Sequence, residues 1–140
     1  MEAALTTVTP IRVRGYHLDG YGHVNNARYL EFLEEGRWDY FDARPSLFEI
    51  VKRTGVAFVA VNLNIDYRRA AVAGDDLEVV TWLAELGTRS ARMHQDIRRA
   101  GDGKLVSSAA ITFVLLDVGA NRAVPVDAEL REAMAPLVME

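Results

Sequence analysis

The sequence predicts an α+β domain in which one long helix is followed by a run of long antiparallel strands. Three observations predict it. Apolar residues recur at helical spacing after Asn25, and the period changes to alternation from Val56. Turn signals at Gly74-Asp75-Asp76, Gly87-Thr88-Arg89-Ser90 and Gly101-Asp102-Gly103 then punctuate the alternating half. One helix with a long apolar face and four or five strands bury their apolar surfaces together when the sheet wraps round the helix. A length of 140 residues suits one core, and residues 1–140 read as a single domain.

Each element can be justified in turn. A first strand leads into a loop that ends at Asn25, the expected N-cap of the long helix. That helix carries Tyr29, Leu30, Leu33, Trp38, Tyr40 and Phe41 on its apolar stripe. Glu31, Glu34, Glu35, Arg37 and Asp39 fill most of the other positions. Ala43-Arg44-Pro45 is the expected stop. Gly36, in mid-helix, costs about 1 kcal/mol relative to alanine, a cost that close approach of a strand would explain. A second, short helix is expected from Ser46 to about Arg53, before Gly55.

Val56–Tyr67 reads as a strand of unusual length. Val59, Val61, Leu63, Ile65 and Tyr67 are expected on its buried face, with Asn62, Asn64 and Asp66 on the other. Leu77–Leu86 and Ala91–Arg99 follow, the latter with Ala91, Met93 and Ile97 opposite Arg92, His94, Asp96 and Arg98. Leu105–Asp117 is almost continuously apolar, as a well-covered strand should be. Asp127–Met139 closes the chain as a short amphipathic helix with Leu130, Met134 and Leu137 aligned and Pro136 interrupting it.

Composition excludes several function classes. With 16 Lys and Arg against 20 Asp and Glu, the formal charge is −4, which argues against nucleic acid as a partner. No apolar run approaches the ~18 residues of a membrane-spanning helix. Residues 1–10 show neither the basic region nor the apolar core of a secretory signal, so a cytoplasmic location is expected. The chain contains no cysteine, hence no disulfide, thiolate metal site or cysteine nucleophile. No phosphate-binding glycine loop and no G-x-S-x-G elbow is present, and Ser46, Ser90, Ser107 and Ser108 stand in no distinctive context.

Chemistry concentrates between Arg14 and Tyr29, in the stretch R-G-Y-H-L-D-G-Y-G-H-V-N-N-A-R-Y. It is a glycine-rich loop running into a helix N-terminus, and it holds His17 and His23, two of the three histidines. Asp19 stands out. A carboxylate just before a helix can act as base or nucleophile while the free N–H groups of the first turn stabilise an oxyanion. By residue type alone, Asp19, Asn25 and Asn26 read first as cap and turn formers, since Asp, Asn and Gly are what ordinary turns use. His17 and His23 lack the further ligands a metal site needs, and neither metal nor organic cofactor is expected. Arg68, Arg69, Arg89 and Arg92 offer charge for a phosphorylated ligand, or ordinary surface charge.

The stretch V-R-G-Y-H-L-D-G-Y-G-H-V-N-N-A-R-Y-L-E-F-L-E-E-G-R-W-D-Y, Val13 to Tyr40, resembles hotdog-fold thioesterases of the 4-hydroxybenzoyl-CoA thioesterase superfamily. Within them it is most similar to the bacterial long-chain acyl-CoA thioesterase III group. The likeness continues through Phe58–Leu77 and Ala110–Asp117, and the D-x-x-x-H-V-N-N block also resembles plant acyl-carrier-protein thioesterases. The resemblance implies a five-stranded antiparallel sheet around a long central helix. Homodimers would pair through the strand around Val59 to Tyr67 and in some relatives pair again into tetramers.

It further implies a site at the subunit boundary with Asp19 catalytic. The thioester carbonyl would face the N–H groups at Asn25 and Asn26, with His23 orienting loop or water and Tyr29 packed beneath. Several superfamily members place a histidine seven residues after the aspartate, where this chain has Asn26; its own His23 comes four after. Arg68, Arg69, Arg89 and Ser90 are assigned to coenzyme A by location alone. The implied activity is hydrolysis of fatty acyl-CoA, long-chain by preference, without a cofactor. An acyl-carrier-protein or aromatic acyl-CoA thioesterase, or a non-catalytic acyl-CoA-binding dimer, stands as the alternative.

Overall fold

The computed structural model describes residues 4–139. Its order is β1 (Thr6–Arg12), a 3-10 turn (Gly15–His17), α1 (Asn26–Asp42), α2 (Pro45–Thr54), β2 (Val56–Tyr67), β3 (Asp76–Leu86), β4 (Ser90–Arg99), β5 (Leu105–Asp117), a two-residue β6 (Arg122–Ala123) and α3 (Ala128–Met134). The strands form one antiparallel sheet in the order β1-β3-β4-β5-β2, with β6 appended to β5. The expected wrapped α+β architecture is formed, with this short sixth strand added.

Helix α1 lies against the inner faces of β1, β3 and β4. It buries Tyr29, Phe32, Leu33, Gly36 and Tyr40, which recur at three- and four-residue steps. Two residues expected on this stripe, Leu30 and Trp38, are instead 38% and 54% exposed. Counting every large apolar residue as core widens the stripe beyond what one sheet can cover. Gly36 has the role its position suggests. A Cβ there would stand 2.7 Å from Val79 Cγ1 and 3.0 Å from both Gln95 Nε2 and Thr81 Oγ1. The missing methyl sets how closely helix and sheet approach.

Helix α2 starts with Pro45 at its first turn and stops at Gly55, whose φ of 72° is left-handed. Strand β4 alternates as read, β3 alternates likewise, and β5, read as a continuously covered apolar strand, also alternates between buried and half-buried residues; Val79, Ile97 and Ile111 are fully buried.

Strand β2 corrects the sequence reading. Its register against β5 slips between Ala60 and Asn62, leaving Val61 as a bulge. Before the slip Phe58 and Ala60 oppose the buried Leu115 and Phe113. After it Leu63, Ile65 and Tyr67 oppose Ile111, Ala109 and Ser107, which are also buried. Val59 therefore does not share a face with Leu63. Nor is the predicted face buried: Val59, Val61, Leu63 and Tyr67 are 38%, 57%, 37% and 44% exposed. The reason is topological, since β2 is the last strand of the sheet and α1 packs on β1, β3 and β4, meeting β2 through Phe41 on Phe58 and through Tyr29 and Asn26 at Tyr67.

Candidate active site

Backbone hydrogen bonds tie the loop before α1 into a small closed frame. Leu18 bridges Val24, Asp19 N–H donates to His23 O at 2.8 Å, and Val24 N–H donates to Ala71 O at 2.9 Å. Gly22 turns the loop with φ 79°, a value that strains any residue with a side chain. Inside this frame Asp19 Oδ1 accepts the N–H groups of Tyr21 at 2.8 Å and His23 at 3.3 Å. Among the described residues its Oδ2 has no hydrogen-bond partner, so one carboxylate oxygen is held and the other is open.

His17 is a positioning element that the histidine count alone did not single out. It is buried, its Nδ1 accepts Arg14 N–H at 2.8 Å, and its ring meets Phe32 edge-on. Its carbonyl accepts Asn25 N–H at 2.9 Å, fixing where α1 begins. Burial, aided by the nearby charge of Arg28, lowers its pKa from the usual histidine value.

At the helix start the donors divide unequally. Asn25 caps the helix, its side chain accepting Ala27 N–H at 2.9 Å. Because Asn25 N–H is engaged by His17 O, the expected pair of oxyanion donors at Asn25 and Asn26 reduces to Asn26. Among the described residues Asn26 N–H has no acceptor, and it begins a helix of 17 residues.

Asp19, His23, Asn26, Tyr29, Arg68 and Arg69 line one cleft of about 250 Å³, together with Val24, Tyr67 and Ala70. Tyr29 forms its floor and is tied down by accepting Ala71 N–H on its hydroxyl at 3.2 Å. Arg68 and Arg69 both donate their backbone N–H to Val106 O. The Arg68 side chain leans to Asp66 at 3.6 Å and that of Arg69 donates to Leu105 O at 2.8 Å.

Tyr67 was missed as a site residue. Its hydroxyl donates to Asn26 O at 3.2 Å, beside the free N–H. The available signal was a tyrosine ending the long strand next to two arginines.

Arg89 and Ser90 are not brought to the cleft. Ser90 pairs with Val114 whereas Tyr67 pairs with Ser107, and seven residues of β5 amount to about 24 Å. A turn rich in polar residues looks like a ligand contact until the sheet places it at the far end.

His94, Asp96 and Ser108 do meet, on the outer face of the sheet. Aspartate and serine both reach the same His94 Nε2, at 3.1 Å each, and Ser108 donates to Asp96 at 2.9 Å. A serine–histidine–aspartate relay needs one partner on each ring nitrogen, so this group cannot pass a proton from Ser108 to Asp96 through the ring. Among the described residues no group of three or more metal-ligating side chains converges. No helix there is long and apolar enough to cross a membrane.

The sheet curled round one helix is a fold this chain shares with solved thioesterase structures. The chain belongs to the thioesterase-like superfamily, which matches residues 13–134. It is similar to the long-chain acyl-CoA thioesterase FadM of Escherichia coli K12, with 47% identity over 93% of this chain and 98% of that protein. It is 30% identical to the acyl-CoA thioesterase YbgC of Haemophilus influenzae, over 89% of this chain and 90% of that one. Among solved structures, the probable thioesterase YbaW of Escherichia coli superposes with a TM-score of 0.87. That match has 46% identity and covers 94% of this chain and 98% of the other.

Proposed function

We propose that this chain hydrolyses long-chain fatty acyl-CoA to free fatty acid and coenzyme A. One juxtaposition carries the reading: an open carboxylate oxygen of Asp19 and the free N–H of Asn26 on one cleft, in a chain 47% identical to a long-chain acyl-CoA thioesterase. The thioester carbonyl accepts Asn26 N–H and takes the positive end of the α1 dipole, which polarises it and holds the tetrahedral oxyanion. Asp19 then acts by one of two routes. As nucleophile it forms a mixed anhydride that water opens; as base it takes a proton from the attacking water. In both the carbon–sulfur bond breaks, and coenzyme A leaves as thiolate and recovers the proton that water gave up.

In this reading His23 orients the loop or the water, Asn25 fixes the helix start, and Tyr29 supports the substrate. Arg68 and Arg69 hold phosphate at the cleft mouth. Residues 1–140 act as one domain, in the cytoplasm, where a cysteine-free chain needs no oxidising compartment. The working unit is a homodimer or homotetramer paired through β2, because a long strand at a sheet edge is an aggregation hazard unless something pairs with it.

The test is hydrolysis of an acyl-CoA panel, from acetyl through palmitoyl to an aromatic thioester, followed by thiol release. Absence of cysteine removes the protein's own thiol background. A rate that climbs with chain length supports the reading. Absence of turnover on every member, beside an active control, turns it toward a carrier-protein substrate or a binding role.

A further inference from the structure

A cavity of about 440 Å³ lies between α1, α2 and the first half of β2, and the chemistry at Asp19 makes no use of it. Trp38, Phe41, Phe48, Val56, Phe58 and Phe113 give it apolar walls. Phe41 stacks on Phe58 with ring centres 6.2 Å apart, and Phe58 meets Phe113 edge-on at 6.5 Å. Small-molecule sites of about 300–1,000 Å³ combine walls of this kind with a few polar groups. The cavity shares no lining residue with the cleft that holds Asp19, so the two are separate places on the molecule.

Three charged side chains line the cavity, Glu34 and Arg37 from α1 and Lys52 from α2. Two cations against one carboxylate leave its lining net positive, in a chain whose formal charge is −4. Arg37 is half-buried and held in place. Its Nη1 donates to Gln95 Oε1 at 3.0 Å, and its Cζ stands 5.7 Å from the centre of the Phe113 ring. Gln95 is fully buried and donates in turn to Leu33 O and Thr81 Oγ1. Glu34 favours the charged form of Arg37 against burial, without closing on it. Among the described residues neither Arg37 nor Lys52 has a carboxylate oxygen within 4.0 Å. Lys52 is exposed in the last turn of α2.

This lining matches a single-chain amphiphile with an anionic head. Alkyl carbons gain by leaving water for the phenylalanine walls, and the head gains charge-assisted hydrogen bonds from cations on two adjoining helices. A cationic head would meet repulsion there. We propose that the cavity is a second binding site, separate from the Asp19 cleft, which takes a free fatty carboxylate through Arg37 and Lys52. The choice of a carboxylate among anions rests on the thioesterase reading, whose product it is. The apolar walls and the net positive lining do not depend on that reading.

The test uses the intact protein and a built-in reporter. Trp38 lines the cavity, whereas Trp82 is stacked on His94 at the outer face of the sheet. A Trp82→Phe background therefore makes tryptophan emission report on the cavity alone. The protein is titrated with decanoate, decanol and decyltrimethylammonium, with fluorescence and calorimetry read in parallel. Decanoate should shift Trp38 emission and bind about tenfold more tightly than decanol, with the ammonium weakest. From hexanoate to decanoate, affinity should rise by up to about fourfold per methylene. Lys52→Glu changes an exposed position and makes the lining net negative. It should abolish the preference for carboxylate, and Lys52→Arg should keep it.

Decanol binding as tightly as decanoate overturns the proposal, and so does a folded Lys52→Glu protein that still prefers decanoate. Decanoate binding by calorimetry with Trp38 silent places the ligand elsewhere and overturns it too. Absence of decanoate binding at millimolar concentration has the same consequence. If decanoate binds as described while no thioester is hydrolysed, the hydrolase reading of the cleft falls and the second site stands.

Discussion

Asp19 divides its two carboxylate oxygens between loop and cleft, and that division makes its role separable from its structural part. In Asp19→Asn the amide oxygen can still accept Tyr21 N–H, so the loop frame should survive. Turnover should fall by about 10²- to 10⁴-fold while a thioether analogue keeps its affinity, measured by steady-state kinetics beside calorimetry. A non-catalytic binder would lose little of either. Tyr67→Phe removes one hydrogen bond to Asn26 O. It should lower kcat/KM about tenfold while costing no more than about 1 kcal/mol in urea unfolding.

His17 makes a prediction of opposite kind, about stability. Its folded pKa lies below the unfolded value of about 6.5, because burial and then the charge of Arg28 disfavour the imidazolium. The unfolded chain therefore binds the proton first, and the His17 contribution is complete above that value and lost as pH falls through the lowered one. Thermal unfolding should show Tm dropping on acidification below about pH 6.5, with a shallower drop over that window in His17→Gln. Equal slopes would mean that another group titrates there.

Among the elements, α1 and β2 show how differently two periodic patterns survive folding. In α1 the cap at Asn25, the end near Ala43 and the close approach at Gly36 were all legible, because local hydrogen bonds and side-chain volume decide them. Leu30 and Trp38 were misplaced, since the width of a buried stripe depends on what lies opposite. Gly36→Ala measures that packing directly. Helix propensity alone would gain about 1 kcal/mol, yet the 2.7 Å contact with Val79 should make the change destabilising by about 1–3 kcal/mol in urea. A stabilised protein would mean that the sheet can retreat.

In β2 the limits were right to the residue and the faces were not. A bulge at Val61 is invisible in an alternating string, because one extra residue inverts every later position without changing composition.

At the scale of the molecule, the sheet ends on β2, whose outer edge has no strand beside it among the described residues, and our functional reading makes that edge the contact between subunits. Leu63→Arg places a charge on this strand without touching the Asp19 loop. Sedimentation equilibrium should then show a shift from oligomer to monomer, with loss of long-chain turnover at micromolar protein. A wild-type protein already monomeric there would remove the need for β2 pairing. Placement in the whole sheet also explains the fate of the arginine guesses. Arg68 and Arg69 follow directly on the strand that ends at the cleft, while Arg89 and Ser90 follow a strand that runs the other way.

The sequence by itself determined what depends on near neighbours and on composition: element types and limits, the cap at Asn25, the glycine-rich loop around Asp19, and a motif block specific enough to indicate the family. These are decided by hydrogen bonds and sterics within a few residues. Only the tertiary structure decided that Asn25 N–H is engaged by His17, that Tyr67 joins Asn26, that Ser90 lies at the far end of the sheet from the cleft, and that Arg37 is held on the buried Gln95. Each of these is a contact between segments far apart in the chain, set by strand order, register and the reach of one helix across a curved sheet.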